Sequence, residues 1–300
     1  MSPYQPSTWL ELWRWPFEAT VMLPVVLVWF LHWRGGQTSF GIRARLESAS
    51  FRAGLILLVV ALESPLDTFT VRSFAWHMTQ HMILLLVVPP LVLAGQPWRR
   101  LLGGLPGFVG RRIEAMADGP RGAFRRRVVA TVGNDHLALG VFTAYLWVWH
   151  LPSMFDATLR NGTLHDLEHL GYLMVGLLYW SRAIPASPLP APIDLGFKRL
   201  GYLLAGLGAC MVLGVVLTFA THPLYSPYLH MANNTYRGVM SSQVTGGAIM
   251  WGPSMLPFDV VFAISVQAWL AKSSLADKAS QRPGVQNAEF RPQVAEEAIQ

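Results

Sequence analysis

Long apolar runs, each near the thickness of a bilayer and joined by short arginine-rich connections, constrain this 300-residue chain more than any other feature. Lipid offers a peptide backbone no hydrogen-bond partner, so a run of about 20 apolar residues crossing ~30 Å of hydrocarbon has to be helical. Composition agrees: 13% of residues are charged and 52% are apolar, against about 25% charged in soluble domains. The expectation is an all-α polytopic membrane protein with seven transmembrane helices, at 17–33, 51–69, 73–94, 128–150, 164–184, 200–222 and 243–271. The second is the weakest. Its uninterrupted apolar core, 53–62, is short and Glu63 follows, so it spans only if Arg52 snorkels to the headgroups and residues 64–69 complete the helix.

Lys and Arg collect in the loops that stay in the cytoplasm. With the N-terminus outside, Arg34, Arg43, Arg45 and Arg52 fall in the first inside loop, and eight arginines from Arg99 to Arg127 in the second. Arg182, Lys198 and Arg199 fall in the third, and Lys272, Lys278, Arg282 and Arg291 in the tail. Only Arg14, Arg72, Arg160 and Arg237 remain outside. Dropping the second span would move the first basic loop outside, against the same rule. The chain then divides into an external segment (1–16), a seven-helix membrane domain (17–271) and a mobile cytoplasmic tail (272–300), in a bacterial plasma membrane.

Trp13, Trp15, Trp33, Trp76, Trp98, Trp149 and Trp269 fall near span ends, where amphipathic rings prefer the interface. The first sixteen residues are polar and aromatic rather than a basic segment followed by a short apolar one, so no secretory signal is read there. A net charge of +6 does not point to nucleic acid, because the basic residues track the inside loops. The lipid bilayer is their partner, and the 97–127 loop has room for a short interfacial helix. One cysteine, Cys210, excludes an internal disulfide and a paired-thiol metal site.

With topology set, the nine histidines sort by depth. His77 and His81 open the third span, His150 closes the fourth, His165 and His169 open the fifth, and His222 and His230 lie at and beyond the end of the sixth, all on the outer side. His32 and His136 are inner and read as structural. Histidine inside a membrane needs a partner, so a group on one side marks a functional site. Residues four apart share a helix face, so each of the pairs His77/His81 and His165/His169 presents two imidazoles one turn apart, a spacing that suits one metal ion. Met78 and Met82 each follow a histidine, and Met154, Met231, Met240, Met250 and Met255 also lie towards that side. Thioether with imidazole suits Cu(I); a His and carboxylate set through Glu168 leaves zinc open. The competing reading is that each pair hydrogen-bonds a neighbouring helix.

His165-Asp166-Leu167-Glu168-His169 also fits the inverted zinc-peptidase pattern, which would need a further ligand and a substrate cleft; Glu168 serves more economically as an orienting partner or ligand. Glu63 and Asp67 either line the same cavity or cap a helix, and Asp259 is expected deep in the seventh span, paired with another helix.

An ordered set of motifs resembles the seven-helix CtaG-type assembly factors of caa-type cytochrome c oxidases. It comprises Ser64-Pro65-Leu66-Asp67, His77-Met78-Thr79-Gln80-His81-Met82 with Val88-Pro89-Pro90-Leu91, Trp149-His150-Leu151-Pro152, the His165–His169 motif, Pro223-Leu224-Tyr225 and Gly246-Gly247-Ala248-Ile249-Met250-Trp251. The resemblance implies a role in maturing a respiratory oxidase by delivering or inserting copper, with an oxidase subunit as partner and no catalytic activity. It also implies an acidic residue before Gln243, where this chain has Ser242. The expected ligands are His77, His81, His165, His169 and Glu168, with His150, Met78 and Met82 as exchange ligands. A bis-histidine haem protein and a copper transporter are the alternatives.

Overall fold

The computed structural model describes residues 13, 15, 17–36, 41–109, 112, 131, 133–186, 191–231 and 234–280. Among these the chain is helical, with no strand. The helices are α1 (Ala19–Gly35), α2 (Ile42–Glu63), α3 (Pro65–Thr70), α4 (Phe74–Met82), α5 (Val88–Ala94), α6 (Pro97–Gly104), α7 (Asp135–Trp149), α8 (Pro152–Thr158), α9 (Gly162–Ser181), α10 (Phe197–Thr218), α11 (Tyr236–Trp251) and α12 (Leu256–Ser280). A π-helical turn, Ile83–Val87, joins α4 to α5.

Three helical segments of the described residues are long and apolar enough to cross a membrane: Phe74–Ala94, Phe197–Thr218 and Tyr236–Leu275. A fourth forms if α7 and α8, bent by 76° at their junction, count as one broken span; α1 is apolar but shorter. Leu23, Val26, Leu27 and Phe30 of α1, Val212, Val215 and Val216 of α10, and Val260, Ile264 and Leu270 of α12 are exposed. Such outward apolar faces belong in lipid rather than water.

Proline positions explain where the expected runs break. The second expected span does not continue through residue 64. Instead α2 begins earlier, at Ile42, and ends at Glu63, while Ser64 turns extended and caps α3, its hydroxyl accepting from the Leu66 amide. Pro65 takes the first helical position of α3, where its missing N–H costs nothing. The seventh expected span is likewise two helices, because Gly252 and the 3-10 turn Pro253–Met255 separate α11 from α12. Asp259, expected to pair with another helix, is exposed in the first turn of α12, where a carboxylate complements the positive helix end.

Pro89 and Pro90 shape the α4–α5 segment. Pro89 has no N–H to give the carbonyl four residues back, so Leu85 O is freed inside the core. The backbone widens into the π turn there, and Trp180 Nε1 of α9 donates to Leu85 O at 3.1 Å. Gly176 of α9 lies against the same carbonyl, and a Cβ on it would sit 2.6 Å from Leu85 O. The freed carbonyl thus docks α9 on the π turn and sets how the two helices are rotated against each other.

Helices α7 and α9 run antiparallel, tied at one end by Arg182 Nε donating to Asp135 Oδ1 at 2.7 Å. At the other end the Tyr145 hydroxyl donates to Glu168 O at 3.0 Å. Tyr179 of α9 and Tyr202 of α10 stack at 4.7 Å, and each hydroxyl donates to the other's carbonyl. Of the expected segments outside the bundle, residue 128 and the rest of the 97–127 loop beyond 109, residue 112 apart, lie outside the described residues. So do the tail beyond Ser280 and residues 1–16, Trp13 and Trp15 apart. Residues 272–280, expected in a mobile tail, continue α12.

Candidate metal centre

Helices α4 and α9 both start at the same end of the bundle, and each carries its first histidine as its fourth residue. Asn161 caps α9 through its side chain, accepting from the Leu164 amide at 3.2 Å. The side chain of Ser73, which precedes α4, does not cap its own helix. Ser242 of α11 does so from outside: its hydroxyl accepts from the Ala75 amide at 3.1 Å and lies 2.8 Å from the Ser73 hydroxyl. The position where the resemblance implies an acid is thus a helix cap that a neutral hydroxyl can fill. Gly246, one turn on, lets α11 approach Phe74; a Cβ there would be 2.5 Å from the ring.

The two histidine pairs face each other. Ring centroids are 4.3 Å apart for His77 and His81, 4.0 Å for His165 and His169, 5.1 Å for His77 and His165, and 5.3 Å for His81 and His169. Ligand-capable atoms of His77, His165 and His169 lie within 4.8 Å of one another, and so do those of His77, His81 and Glu168. His77 belongs to both groups. His77, His81 and Glu168 are fully buried, and His169 is 6% exposed. His81 Nδ1, His165 Nε2 and His169 Nε2 are buried without a hydrogen-bond partner among the described residues; the Glu168 carboxyl oxygens are buried beside the Thr158 hydroxyl, whose hydrogen goes to Phe155 O at 2.8 Å. Glu168 Oε1 stands 3.8 Å from His81 Nε2, beyond hydrogen-bond reach. So many unpartnered lone pairs in one buried volume are costly unless a cation completes them.

A chain of hydrogen bonds orients the rings. The Tyr228 hydroxyl donates to Thr70 O at 3.1 Å. Burial, with the neighbouring Glu168 carboxyl adding to it, holds that phenol well above its usual range, so it keeps its proton. Its single hydrogen is spent on the carbonyl, and its oxygen is 3.1 Å from His77 Nδ1; the contact therefore requires hydrogen on Nδ1 and leaves Nε2 bare. His77 Nε2 is 3.0 Å from His81 Nε2, which donates to it, and the chain ends on the unpartnered His81 Nδ1.

His150 lies at the C-cap of α7, with Nδ1 at 2.6 Å from Leu146 O and Nε2 at 3.2 Å from Met78 Sδ. The Tyr225 hydroxyl donates to His150 O at 3.1 Å. Tyr225 and Tyr228 come from the 222–231 connection, which Gln243 anchors: Oε1 accepts from Leu224 N at 2.7 Å and Nε2 donates to His222 O at 3.3 Å. Neither tyrosine stands out by sequence spacing. The only signal is two aromatics three apart, beside prolines, in an outer loop.

The remaining expected residues are not part of this arrangement. Met82 is buried in the apolar core a turn further along α4, outside the contacts that gather the imidazoles. Of the outer methionines, Met78 alone has a contact to a site imidazole within hydrogen-bonding range among the described residues. Glu63 caps a helix, since its Oε2 accepts from the Glu18 amide at the start of α1 at 2.8 Å. Asp67 accepts from Gln80 Nε2 at 2.8 Å. His222 and His230 are exposed. His32 stacks on Phe51 at 4.3 Å, far from the cluster in sequence and in the fold.

The family profile described as the cytochrome c oxidase caa3 assembly factor matches residues 23–272. The chain belongs to that family. An uncharacterized protein of Mycobacterium leprae is 23% identical over 225 residues, covering 72% of this chain and 33% of the relative. Uncharacterized proteins of Mycobacterium bovis and Mycobacterium tuberculosis are each 24% identical over 217 residues, with the same coverage. The chain spans about a third of the length of these relatives. No solved structure matches it.

Proposed function

We propose that this assembly factor is a non-catalytic copper carrier that holds copper at its outer face and passes it to an oxidase subunit. The observation that carries the reading is the convergence of two i,i+4 histidine pairs and Glu168 into one cluster, buried except for a half-buried His165, with several ligand-capable atoms unpartnered. His77, His81, His165 and His169 supply imidazole nitrogens, Glu168 a carboxylate beside them, and His150 with Met78 the adjoining exchange ligands. Such a set takes Cu(I), and also accommodates zinc.

Seven spans with the N-terminus outside remain the topology we favour. In α9 the polar Glu168 and His169 are buried in the bundle rather than turned to lipid, and in α2 the basic residues gather in the first three turns. On that topology the cluster opens towards the external side of a bacterial plasma membrane, where copper would arrive. The haem alternative needs a macrocycle between two axial imidazoles, and rings packed at 4.0–5.3 Å leave no slot for one. A transporter would need inner ligands, yet His32 is packed on Phe51 and His136 is exposed.

The test is elemental analysis and a visible spectrum of the detergent-purified protein after anaerobic Cu(I) loading, beside His77→Ala/His81→Ala. Retained copper without a Soret band, reduced in the variant, is the expected result. No copper in either protein sinks the carrier reading, and a Soret band in the wild type replaces it with a cytochrome.

A further inference from the structure

His150 has its tautomer dictated by its own helix. Nδ1 lies 2.6 Å from Leu146 O, and a carbonyl only accepts, so Nδ1 carries the hydrogen. A neutral imidazole has one such hydrogen, which leaves Nε2 with a bare lone pair. That lone pair faces Met78 Sδ at 3.2 Å. A thioether has no hydrogen either, so no hydrogen bond joins the two atoms. Met78 is fully buried and His150 is 5% exposed, so water does not separate them. Two lone pairs from a soft sulfur and an imidazole, held face to face in an apolar core, are matched by a soft monovalent cation.

We infer that Met78 and His150 form a second metal station, selective for Cu(I), separate from the four-imidazole cluster. Phe155 packs beside both. Its ring centroid is 4.8 Å from that of His77 and 6.5 Å from that of His150, so the two imidazoles are no more than about 11 Å apart. Tyr172 links the stations on another side, packing on His81 at 4.4 Å with its hydroxyl 3.5 Å from His150 Nδ1. Because Met78 follows His77 on α4, the stations share one helix turn. Two ligands hold a metal less firmly than four imidazoles, which makes the Met78–His150 station the labile one, suited to accepting or releasing the cargo. That last assignment rests on the copper-carrier reading; the ligand pair itself does not.

The full-length protein in detergent is loaded anaerobically with excess Cu(I), desalted and read by copper-to-protein ratio and X-ray absorption at the copper edge. Wild type is expected to hold two copper ions with nitrogen and sulfur neighbours. Met78→Leu should hold one, with the sulfur shell gone. His77→Ala/His81→Ala should retain one whose neighbours still include sulfur. Selenomethionine-substituted wild type provides a readout that leaves the sequence intact: the sulfur shell should become a selenium shell, and Met78→Leu should abolish it. Copper with nitrogen neighbours only in the wild type, a sulfur shell that survives Met78→Leu, or loss of the sulfur-bound copper in His77→Ala/His81→Ala overturns the second station. A single copper with sulfur in its shell that survives His77→Ala/His81→Ala upholds the station and instead removes the four-imidazole cluster from the carrier reading.

Discussion

Tyr228→Phe isolates the contribution of ring orientation to metal binding, because it deletes one oxygen and leaves the aromatic packing in place. Two hydrogen bonds go: the one to Thr70 O and the one from His77 Nδ1. Thr70 is 1% exposed, and a buried acceptor left without a donor costs about 1–3 kcal/mol of stability. His77 has an escape that Thr70 lacks. Its proton can move from Nδ1 to Nε2 and donate towards His81, 3.0 Å away, once His81 shifts its own hydrogen from Nε2 to the unpartnered Nδ1, so the ring adds little to the stability loss. The metal-facing nitrogen is then occupied, and a cation must reverse the tautomer before it binds. Partners that orient a ligating histidine are worth roughly 10–100-fold in affinity, or about 1.4–2.8 kcal/mol at 1.4 kcal/mol per tenfold. An anaerobic competition titration with a chromogenic Cu(I) chelator measures this directly. The expected result is a 10–100-fold weaker Kd at unchanged stoichiometry, with thermal unfolding lowered by the Thr70 share alone. A Kd within twofold of wild type in a folded protein would show that Tyr228 does not set the tautomer of His77.

Three further outcomes follow from the packing and the topology. Gly176→Ala places a Cβ 2.6 Å from Leu85 O and 2.7 Å from Pro89 Cγ; overpacking of this kind costs about 1–3 kcal/mol, to be read as a lower Tm in detergent. Ser242→Ala removes the hydroxyl that accepts from the Ala75 amide and should cost about 1 kcal/mol. Ser242→Asp should keep the cap and add a favourable charge at the helix start of about 0.3–1 kcal/mol, so a destabilised aspartate variant would contradict the capping role. With Cys210→Ser as background, an impermeant maleimide should label Ser226→Cys in intact cells and Arg43→Cys only after lysis; the reverse pattern would refute the orientation.

Position along the helix was legible in this sequence, and azimuth was not. Hydropathy and loop charge place His77 and His165 near the start of their helices, and the structure starts both helices at one end of the bundle, each with its first histidine as fourth residue. The i,i+4 spacing guarantees that each pair shares a face, but which direction that face points depends on how the helix is rotated. Rotation is a tertiary property. For α9 it is set by Gly176 and Trp180 against the carbonyl that Pro89 frees, and for α4 by Phe74 against Gly246 and by Ser242 on the Ala75 amide. The helix breaks at Ser64 and Gly252 could be read from Pro65 and Pro253 as first helical residues, whereas hydropathy alone carried the expected spans straight through them.

The orienting tyrosines were hidden for a different reason. Tyr228 is 151 positions from His77 in sequence, and its value lies in having spent its hydrogen on Thr70 O, a relation between three segments that no local pattern contains. The same holds for Met78, which any apolar helix face would accept as packing. Only the proton that His150 gives to Leu146 O turns that sulfur from a filler into a ligand, because it leaves the facing nitrogen with nothing to donate. Residue type thus proposes the candidate ligands, and the placement of a few hydrogens on buried carbonyls decides which of their lone pairs are free to bind.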